Sequence, residues 1–499
     1  MDFSDVLYGF QVALQPENLL FALIGVVIGM VIGILPGLGP PATIALMLPL
    51  TYVIPPEAAI IMVAGIYYGA YYGGTITSVL LRLPGEAASV VTVYDGHQMA
   101  LQGRAGPALG ISAIGSFIGG VAATIGLIFF APVVAQFAVK LGPPEYVILA
   151  VAGLAMVSSL GSAKPLKNVI SACFGLLIAM VGIDVITGSS RFTFGSFDLL
   201  GGIDFVAVAM GLFGLGDILY ELEKGELGAR IKGKIGRVLP TKQDMKDSSG
   251  AIARGSVIGF VLGLLPGGGG VVSSLASYAT EKKVSKHPET FGHGAIAGVA
   301  GPETANNAGS TASFLPLLSL GIPSNVVLAL VYGALLIQGV TPGPNLISEQ
   351  PAIFWGVLAS MVIGNLMLLL LSIPLIRPFI ALIKVRLSIL SSLVVVVTMI
   401  GVYSVANSTF DMWVMLVFGV IGYLMRKTGY DPGPMALAIV LGPLLESSFR
   451  QSMLMSSGSL GIFIERPVAL IGLLAIAAVI GLRVVLGRKK VFQSLPSDS

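Results

Sequence analysis

Two runs place polar ligands inside otherwise apolar sequence: Gly73-Gly74-Thr75-Ile76-Thr77-Ser78 and Asn306-Asn307-Ala308-Gly309-Ser310-Thr311-Ala312-Ser313. Hydroxyls and amides beside glycine supply neutral oxygens, and the glycines free backbone carbonyls for the same use. A dehydrated sodium ion needs such ligands, and the accompanying N–H groups suit a carboxylate. On this chemistry Thr77, Ser78, Asn306, Asn307, Ser310 and Ser313 are candidate ion ligands, and Gly74 and Thr75 are candidate substrate ligands. The alternative use of the same residues is close packing of membrane helices with hydroxyl bonds between them. Glu303, in Gly301-Pro302-Glu303-Thr304, is ionisable within apolar sequence and so a functional candidate by default. Arg82 and Glu86 flank Pro84-Gly85. An arginine there could fork onto a carboxylate, or snorkel to lipid headgroups.

A second kind of chemistry is carried by breaks. Gly33-Ile34-Leu35-Pro36-Gly37-Leu38-Gly39-Pro40-Pro41 interrupts a long apolar run, and Gly263-Leu264-Leu265-Pro266-Gly267-Gly268-Gly269-Gly270 repeats the pattern 230 residues later. Glycine and proline both end helices. At membrane depth the freed backbone groups cost several kcal/mol each unless they meet protein, water or ligand. Paired breaks in the two halves of a transporter mark a substrate site, with half-helix N-termini facing anions and unwound carbonyls holding cations. Pro36, Gly37, Gly39, Pro266, Gly267 and Gly268 are therefore candidate substrate ligands. Ser324 and Asn325 join them from the turn Gly321-Ile322-Pro323-Ser324-Asn325, where Ser324 is placed to cap a helix and aim N–H groups at an anion.

The elements that position these residues must be membrane helices. Of 499 residues, 55% are hydrophobic and 11% charged, whereas a soluble domain carries roughly 25% charged residues. Uncharged windows long enough to cross a bilayer, about 20 residues, run over Asn18–Pro56, Ala105–Val139, Gly255–Thr280, Thr304–Ser348, Pro351–Ile376 and Leu387–Phe410. Shorter apolar runs cover Tyr146–Ala163, Asn168–Ile183 and Pro467–Leu482. The first 81 residues hold no Lys or Arg, so no cleavable signal peptide is expected.

Several functions are disfavoured. The single Cys173 allows no internal disulfide and no thiolate cluster. His287 and His293 are six apart and do not share a helical face, which speaks against a metal site. There is no phosphate loop and no hydrolase spacing, so the chain is not read as an enzyme. The net charge of +3 sits in loops facing anionic lipid, without the basic-aromatic pattern of a nucleic-acid binder.

The two breaks also organise the chain. Ala64–Glu86 parallels Ala300–Asn325, and Lys224–Lys246, with seven basic residues against two acidic ones, separates the halves. The positive-inside rule puts this linker in the cytoplasm. It also puts the tail with Arg483, Arg488, Lys489 and Lys490 in the cytoplasm, and the acidic N-terminus outside. The halves are then entered from opposite sides. The expected fold is an all-α polytopic membrane protein of two inverted repeats with broken or re-entrant glycine-rich helices. Residues 1–216 form the first repeat, 217–254 the linker, 255–482 the second repeat and 483–499 a cytoplasmic tail.

Taken in order, GILPGLGPPATIALMLPLTY, AGIYYGAYYGGTITSVLLRLPGE, TVYDGHQMALQGRAGPALG and GPETANNAGSTASFLPLLSLGIPSN resemble the large membrane subunit of bacterial tripartite tricarboxylate transporters. The likeness covers most of the chain, roughly 20 to 480. It implies an ion-coupled importer of citrate or related carboxylates in the inner membrane, driven by sodium or protons, with no other cofactor. It implies two partners, a small four-helix membrane subunit and a periplasmic solute-binding protein. It implies functional residues within Pro36–Pro40, Gly73–Ser78, Pro266–Gly270 and Asn306–Ser313. By analogy with other inverted-repeat carboxylate carriers, one bundle would move as an elevator. The competing reading is a passive carboxylate channel or a membrane scaffold, in which the repeats serve packing alone.

Overall fold

The computed structural model describes residues 3–35, 39–82, 84–160, 165–184, 186–224, 237–265, 267–382 and 387–488. Pro36, Gly37 and Pro266 lie outside the described residues, as do 225–236 of the basic linker and 489–499 of the tail. Among the described residues the regular structure is helical apart from one two-stranded sheet, and six helices are long and apolar enough to cross a membrane. The chain is a multi-pass membrane protein.

A short helix α1 (Phe3–Ala13) leads into α2 (Pro16–Gly33), which opens on a proline where no N–H is needed. The glycine break follows, then α3 (Pro40–Tyr52) and α4 (Pro56–Leu81). Gly25, Gly29 and Gly33 recur every fourth residue along one face of α2. A Cβ on any of them would come within 3.0 Å of backbone in α4, at Met62, Ile66 and Ala70 in turn. The rising order of both sets makes α2 and α4 parallel, so α3 must carry the chain back. Its 13 residues reach about 20 Å, enough for that return. α2 and α3 are thus the arms of a helical hairpin, and α2 ends level with the middle of α4.

After α5 (Val90–Leu101), α6 (Ala105–Ala138), α7 (Pro143–Leu160) and α8 (Pro165–Ala179) come the strands β1 (Gly182–Ile183) and β2 (Ser190–Arg191). Then α9 (Phe205–Ala209), capped by Asp204, passes through a π-turn into α10 (Gly216–Lys224). The second half repeats the hairpin. α11 (Lys242–Gly263) and α12 (Gly269–Val284) flank the second break, and α13 (Ala297–Ala312) with α14 (Phe314–Leu320) takes the place of α4. Here Gly255, Gly259 and Gly263 press on backbone at Gly301, Ala305 and Gly309, so α11 and α13 are also parallel. α11 starts inside the basic segment, where Thr241 and Asp244 cap it reciprocally.

The remaining helices are α15 (Val326–Ile337), α16 (Leu346–Glu349), α17 (Pro351–Leu382), α18 (Leu387–Ala406), α19 (Thr409–Lys427), α20 (Gly433–Met455), α21 (Ile462–Glu465) and α22 (Pro467–Arg488). Packing is exchanged between halves. α6 lies on α11 and α13, while α17 lies on α2 and α4; α20 lies on α7 and α8, while α19 lies on the α9–α10 segment. Two matched glutamines show the same exchange. Gln102 donates to the His293 carbonyl at 2.8 Å, in the loop before α13, and Gln338 to the Ile54 carbonyl at 3.0 Å, in the loop before α4.

Three apolar windows of the sequence divide in the structure: Asn18–Pro56 into α2 and α3, Gly255–Thr280 into α11 and α12, and Thr304–Ser348 into four helices. The loop between α8 and α9 is clamped outside the helices. Arg191 grips Glu446 with both terminal nitrogens, and Arg450 reaches Asp184 at 2.7 Å. The backbone N–H of Ile186 and the Arg450 guanidinium hold the Asp184 carboxyl well below the usual carboxylate range. The stabilisation from a depressed carboxyl is present above its unfolded pKa, near 4, and is lost only as pH falls through the lower folded value. The clamp therefore stays closed at neutral pH.

Candidate functional site: two hairpin tips at the centre of the bundle

The two halves meet along α4 and the α13–α14 segment. Tyr67 packs against Phe314 with tilted rings, centroids 6.1 Å apart, and Thr75 donates to Glu303 at 2.7 Å. Residue numbers rise along α4 as they fall along α13–α14, so these matched helices run antiparallel. Gly33 sits at the level of Ala70 and Gly263 at the level of Gly309, which brings both tips to the middle of this antiparallel pair.

At the second tip the Gly267 N–H donates to the Ser324 carbonyl at 2.6 Å. Gly267 and Gly269 hold φ of +74° and +62°, a left-handed backbone that favours glycine. Gly270 lies against the Tyr71 ring. Asn325 caps α15 through Leu328 N–H at 3.0 Å, and its amide reaches the Tyr67 hydroxyl at 3.3 Å. Gly267, Gly268 and Asn325 are half-buried, while Ser324 is buried. No side chain caps α12, whose first residues are Gly269, Gly270 and Val271, so its end presents N–H groups and a partial positive charge.

The first tip differs in chemistry. Gly39 caps α3 without a side chain, but Pro40 and Pro41 hold its first two positions and carry no N–H. The start of α3 is therefore poorer in donors than the start of α12. Gly85 closes the first tip, and a Cβ there would strike Gly74 and the Gly33 carbonyl. The second half has Ser324 in the same place, with its hydroxyl 3.4 Å from the Ser313 carbonyl and Ser313 bonded to the Gly263 carbonyl at 3.1 Å. Glu86 corresponds in turn to Asn325, and left-handed Arg82 to Gly321.

This correspondence fixes the place of the polar clusters. Their sequence similarity suggests equivalent positions, but the packing sets Gly74 opposite Ser313 and Ala70 opposite Gly309, so Asn306–Ser313 matches Tyr67–Gly74. Ser78 bonds to the Gly74 carbonyl and Ser89, Thr77 to the Gly74 carbonyl, Ser310 to the Asn307 carbonyl, and Ser313 also to the Gly309 carbonyl. These hydroxyl protons are spent inside the chain, which leaves oxygen lone pairs. Asn307 donates to Ser116 and to Asn306, each at 2.7 Å, and its own oxygen is buried without a partner. Asn365 is alike: its amide nitrogen bonds to the Met361 carbonyl and its oxygen has none. Arg82 is exposed at the C-terminal end of α4.

Glu303 is fully buried. Its carboxylate accepts from Thr75 on α4 and Thr92 on α5, with the Asn306 amide at 3.5 Å. Glu86, also buried, accepts from Ala88 N–H at 2.7 Å through one oxygen, and the other has no partner. It lies against Gly74, next to the threonine that binds Glu303. Sequence reasoning did not single out Thr92, Ser116 or Asn365 and read Glu86 only as a flank. The usable signal was the alignment of Leu-Pro-Gly-Glu (83–86) with Ile-Pro-Ser-Asn (322–325).

The model of the tripartite tricarboxylate transporter TctA family matches residues 19–437. An uncharacterised 52.8 kDa protein of the TAR-I ttuC′ 3′ region of Agrobacterium vitis is 45% identical over 469 residues, covering 93% of each chain. An uncharacterised protein of the TAR-II ttuC′ 3′ region of the same organism is 48% identical over 226 residues, 45% of this chain and 93% of its own. No solved structure matches. With this coverage the chain belongs to the TctA family: it is the large subunit of a tripartite tricarboxylate transporter, a transport component that works with other subunits and a binding protein, and not an enzyme.

Proposed function

We propose that the chain is the translocating subunit of an ion-coupled importer of tricarboxylates or related carboxylates in the bacterial inner membrane. Its halves act as inverted repeats, with the two broken helices as re-entrant hairpins entering from opposite faces. A small four-helix subunit and a periplasmic binding protein complete the system. The N-terminus faces the periplasm, and the linker and tail face the cytoplasm.

What supports this reading is that two chemically different hairpin ends lie at one level of the antiparallel α4 and α13–α14 pair. The α12 tip, around Gly267, Gly268, Ser324 and Asn325, offers N–H donors and suits a substrate carboxylate. The α3 tip has prolines in place of those donors and lies beside Glu86 and the oxygen-rich stretch from Gly74 to Ser78, which suits a cation. A polyanion entering this interior needs positive charge to accompany it, because removing charge from water is expensive without a partner. Sodium at the neutral oxygens, protons, or both supply that charge. Ion and substrate then bind cooperatively.

The test is uptake into proteoliposomes holding both membrane subunits, with the binding protein outside and a panel of labelled carboxylates that includes citrate. Accumulation is expected only with both an ion gradient and the binding protein. Equilibration that needs neither would establish the passive channel instead, and no flux for any carboxylate would favour the scaffold.

A further inference from the structure

We propose that Glu303 binds a coupling proton, taking it up from one side of the membrane with the substrate and releasing it on the other. This deepens the importer reading and rests on it. The side chain is 0% exposed and joins three helices from both halves: its own α13, α4 through Thr75 and α5 through Thr92. Every hydrogen bond it accepts among the described residues comes from a neutral group.

Among the described residues, none of the charged or titratable groups on the neighbouring elements is hydrogen-bonded to the Glu303 carboxylate. On α4 they are the tyrosines 67, 68, 71 and 72, with Glu57 in the first turn. In the α4–α5 turn stands Glu86, a second buried carboxyl. On α5, Asp95 accepts from the N–H groups of Gly292, Gly294 and Ala295 and from the Tyr278 hydroxyl. Tyr94 packs on the Tyr278 ring, and His97 bonds to the Val79 carbonyl. On α11, Arg254 clamps Glu281 of α12 through two bonds of 2.8 and 2.6 Å, and Lys242, Asp244, Lys246 and Asp247 lie in the first two turns. On α12, Lys282 and Lys283 lie in the last turn. α6 and α14 carry none.

An anionic Glu303 in this place would be a buried charge without a counter-charge, the state that proteins avoid by neutralising the group. The need grows when a polyanionic substrate arrives at the adjacent tips. Protonation answers it by forming one O–H bond on a carboxylate oxygen, the proton coming from the aqueous phase. No other bond changes. The two threonine hydroxyls hold the carboxyl in place across the interface between halves, and each can turn from donor to acceptor as the proton binds.

Infrared difference spectroscopy of the reconstituted complex between acidic and alkaline buffer tests the site directly, without substrate. The protonated-carboxyl C=O band is expected in the wild type and in Glu86→Gln, and is expected to be missing in Glu303→Gln. In parallel, labelled citrate uptake with an internal pH dye should show one proton fewer per citrate in Glu303→Gln, with citrate counterflow kept. An unchanged band in Glu303→Gln, unchanged proton uptake per citrate, or loss of counterflow in a normally assembled variant would each overturn the proposal. If Glu303→Gln does not assemble, Thr92→Val serves. Loss of one hydroxyl donor to the carboxylate should tighten proton binding about tenfold, moving the pH profile of the band upward by about one unit; an unmoved profile would overturn the proposal. A band assigned to Glu303 without citrate flux would leave the proton site standing and sink the importer reading.

Discussion

Replacing Gly29 or Gly259 by valine is expected to remove most of the folded protein from the membrane. Each glycine is the middle one of three at four-residue spacing, and each faces backbone rather than a movable side chain: Ile66 from Gly29 and Ala305 from Gly259. A Cβ closer than 3.0 Å to a carbonyl oxygen cannot be relieved by a rotamer change, so the helices must separate. In a bilayer, close van der Waals approach is the main force holding helices together. Overpacking costs roughly 1 to 3 kcal/mol where neighbours can shift, and backbone on both sides puts these positions at or above that range. Membrane levels of each variant, set against Gly201→Val at an open, exposed loop position, check this. Wild-type levels for both would show that the two parallel helix pairs are not packed as described.

Gly270→Val should have the opposite profile, with near-normal membrane levels and uptake lowered at least about tenfold. Its Cβ would lie 2.9 Å from the Tyr71 ring and 3.0 Å from the Tyr71 hydroxyl. A side chain can give way there, so the fold survives. The displaced Tyr71 presses on Tyr67, whose ring lies 5.2 Å away and whose hydroxyl holds Asn325. The second tip is then filled and its partners are moved. Uptake per unit of assembled protein measures the effect, and a value equal to the wild type would make this tip a plain loop.

Much of this arrangement is readable from residues alone. The two breaks stand out because glycine and proline have few other uses inside apolar runs. Their 230-residue spacing pairs α2 with α11. What sequence reasoning missed has physical causes. Pro56–Leu81 is not among the apolar windows, since its tyrosines, threonines, serine and glycines lower its mean hydropathy to 1.2, against 2.2 for Ala105–Ala138. It is wholly buried in protein and has no lipid to match. The polar clusters were found, but their register was not. Side-chain type is similar at both, whereas the equivalence depends on which glycine meets which carbonyl across a helix pair. The exchange of α6 and α17 between halves leaves no local trace. Thr92 sits in Val-Thr-Val, a context shared by countless packing threonines, and only its neighbour Glu303 gives it a role.

The central claim is that one carboxylate site lies where the two tips meet, and ligand protection tests it most directly. In a Cys173→Ala background, which removes the single exposed native thiol, Gly39→Cys marks the first tip and Asn325→Cys the second, with Leu101→Cys as an exposed control. A Cβ at Gly39 meets only the Pro41 ring, at 3.5 Å, so the label site is built without strain. Maleimide labelling is followed in the reconstituted complex with and without citrate, at high and low sodium and at two pH values. The account predicts that citrate with the coupling ion slows labelling at both Gly39→Cys and Asn325→Cys by tenfold or more and leaves Leu101→Cys unaffected. Equal rates with and without citrate at both tips, in a complex that takes up citrate, would contradict it and move the substrate site elsewhere in the bundle.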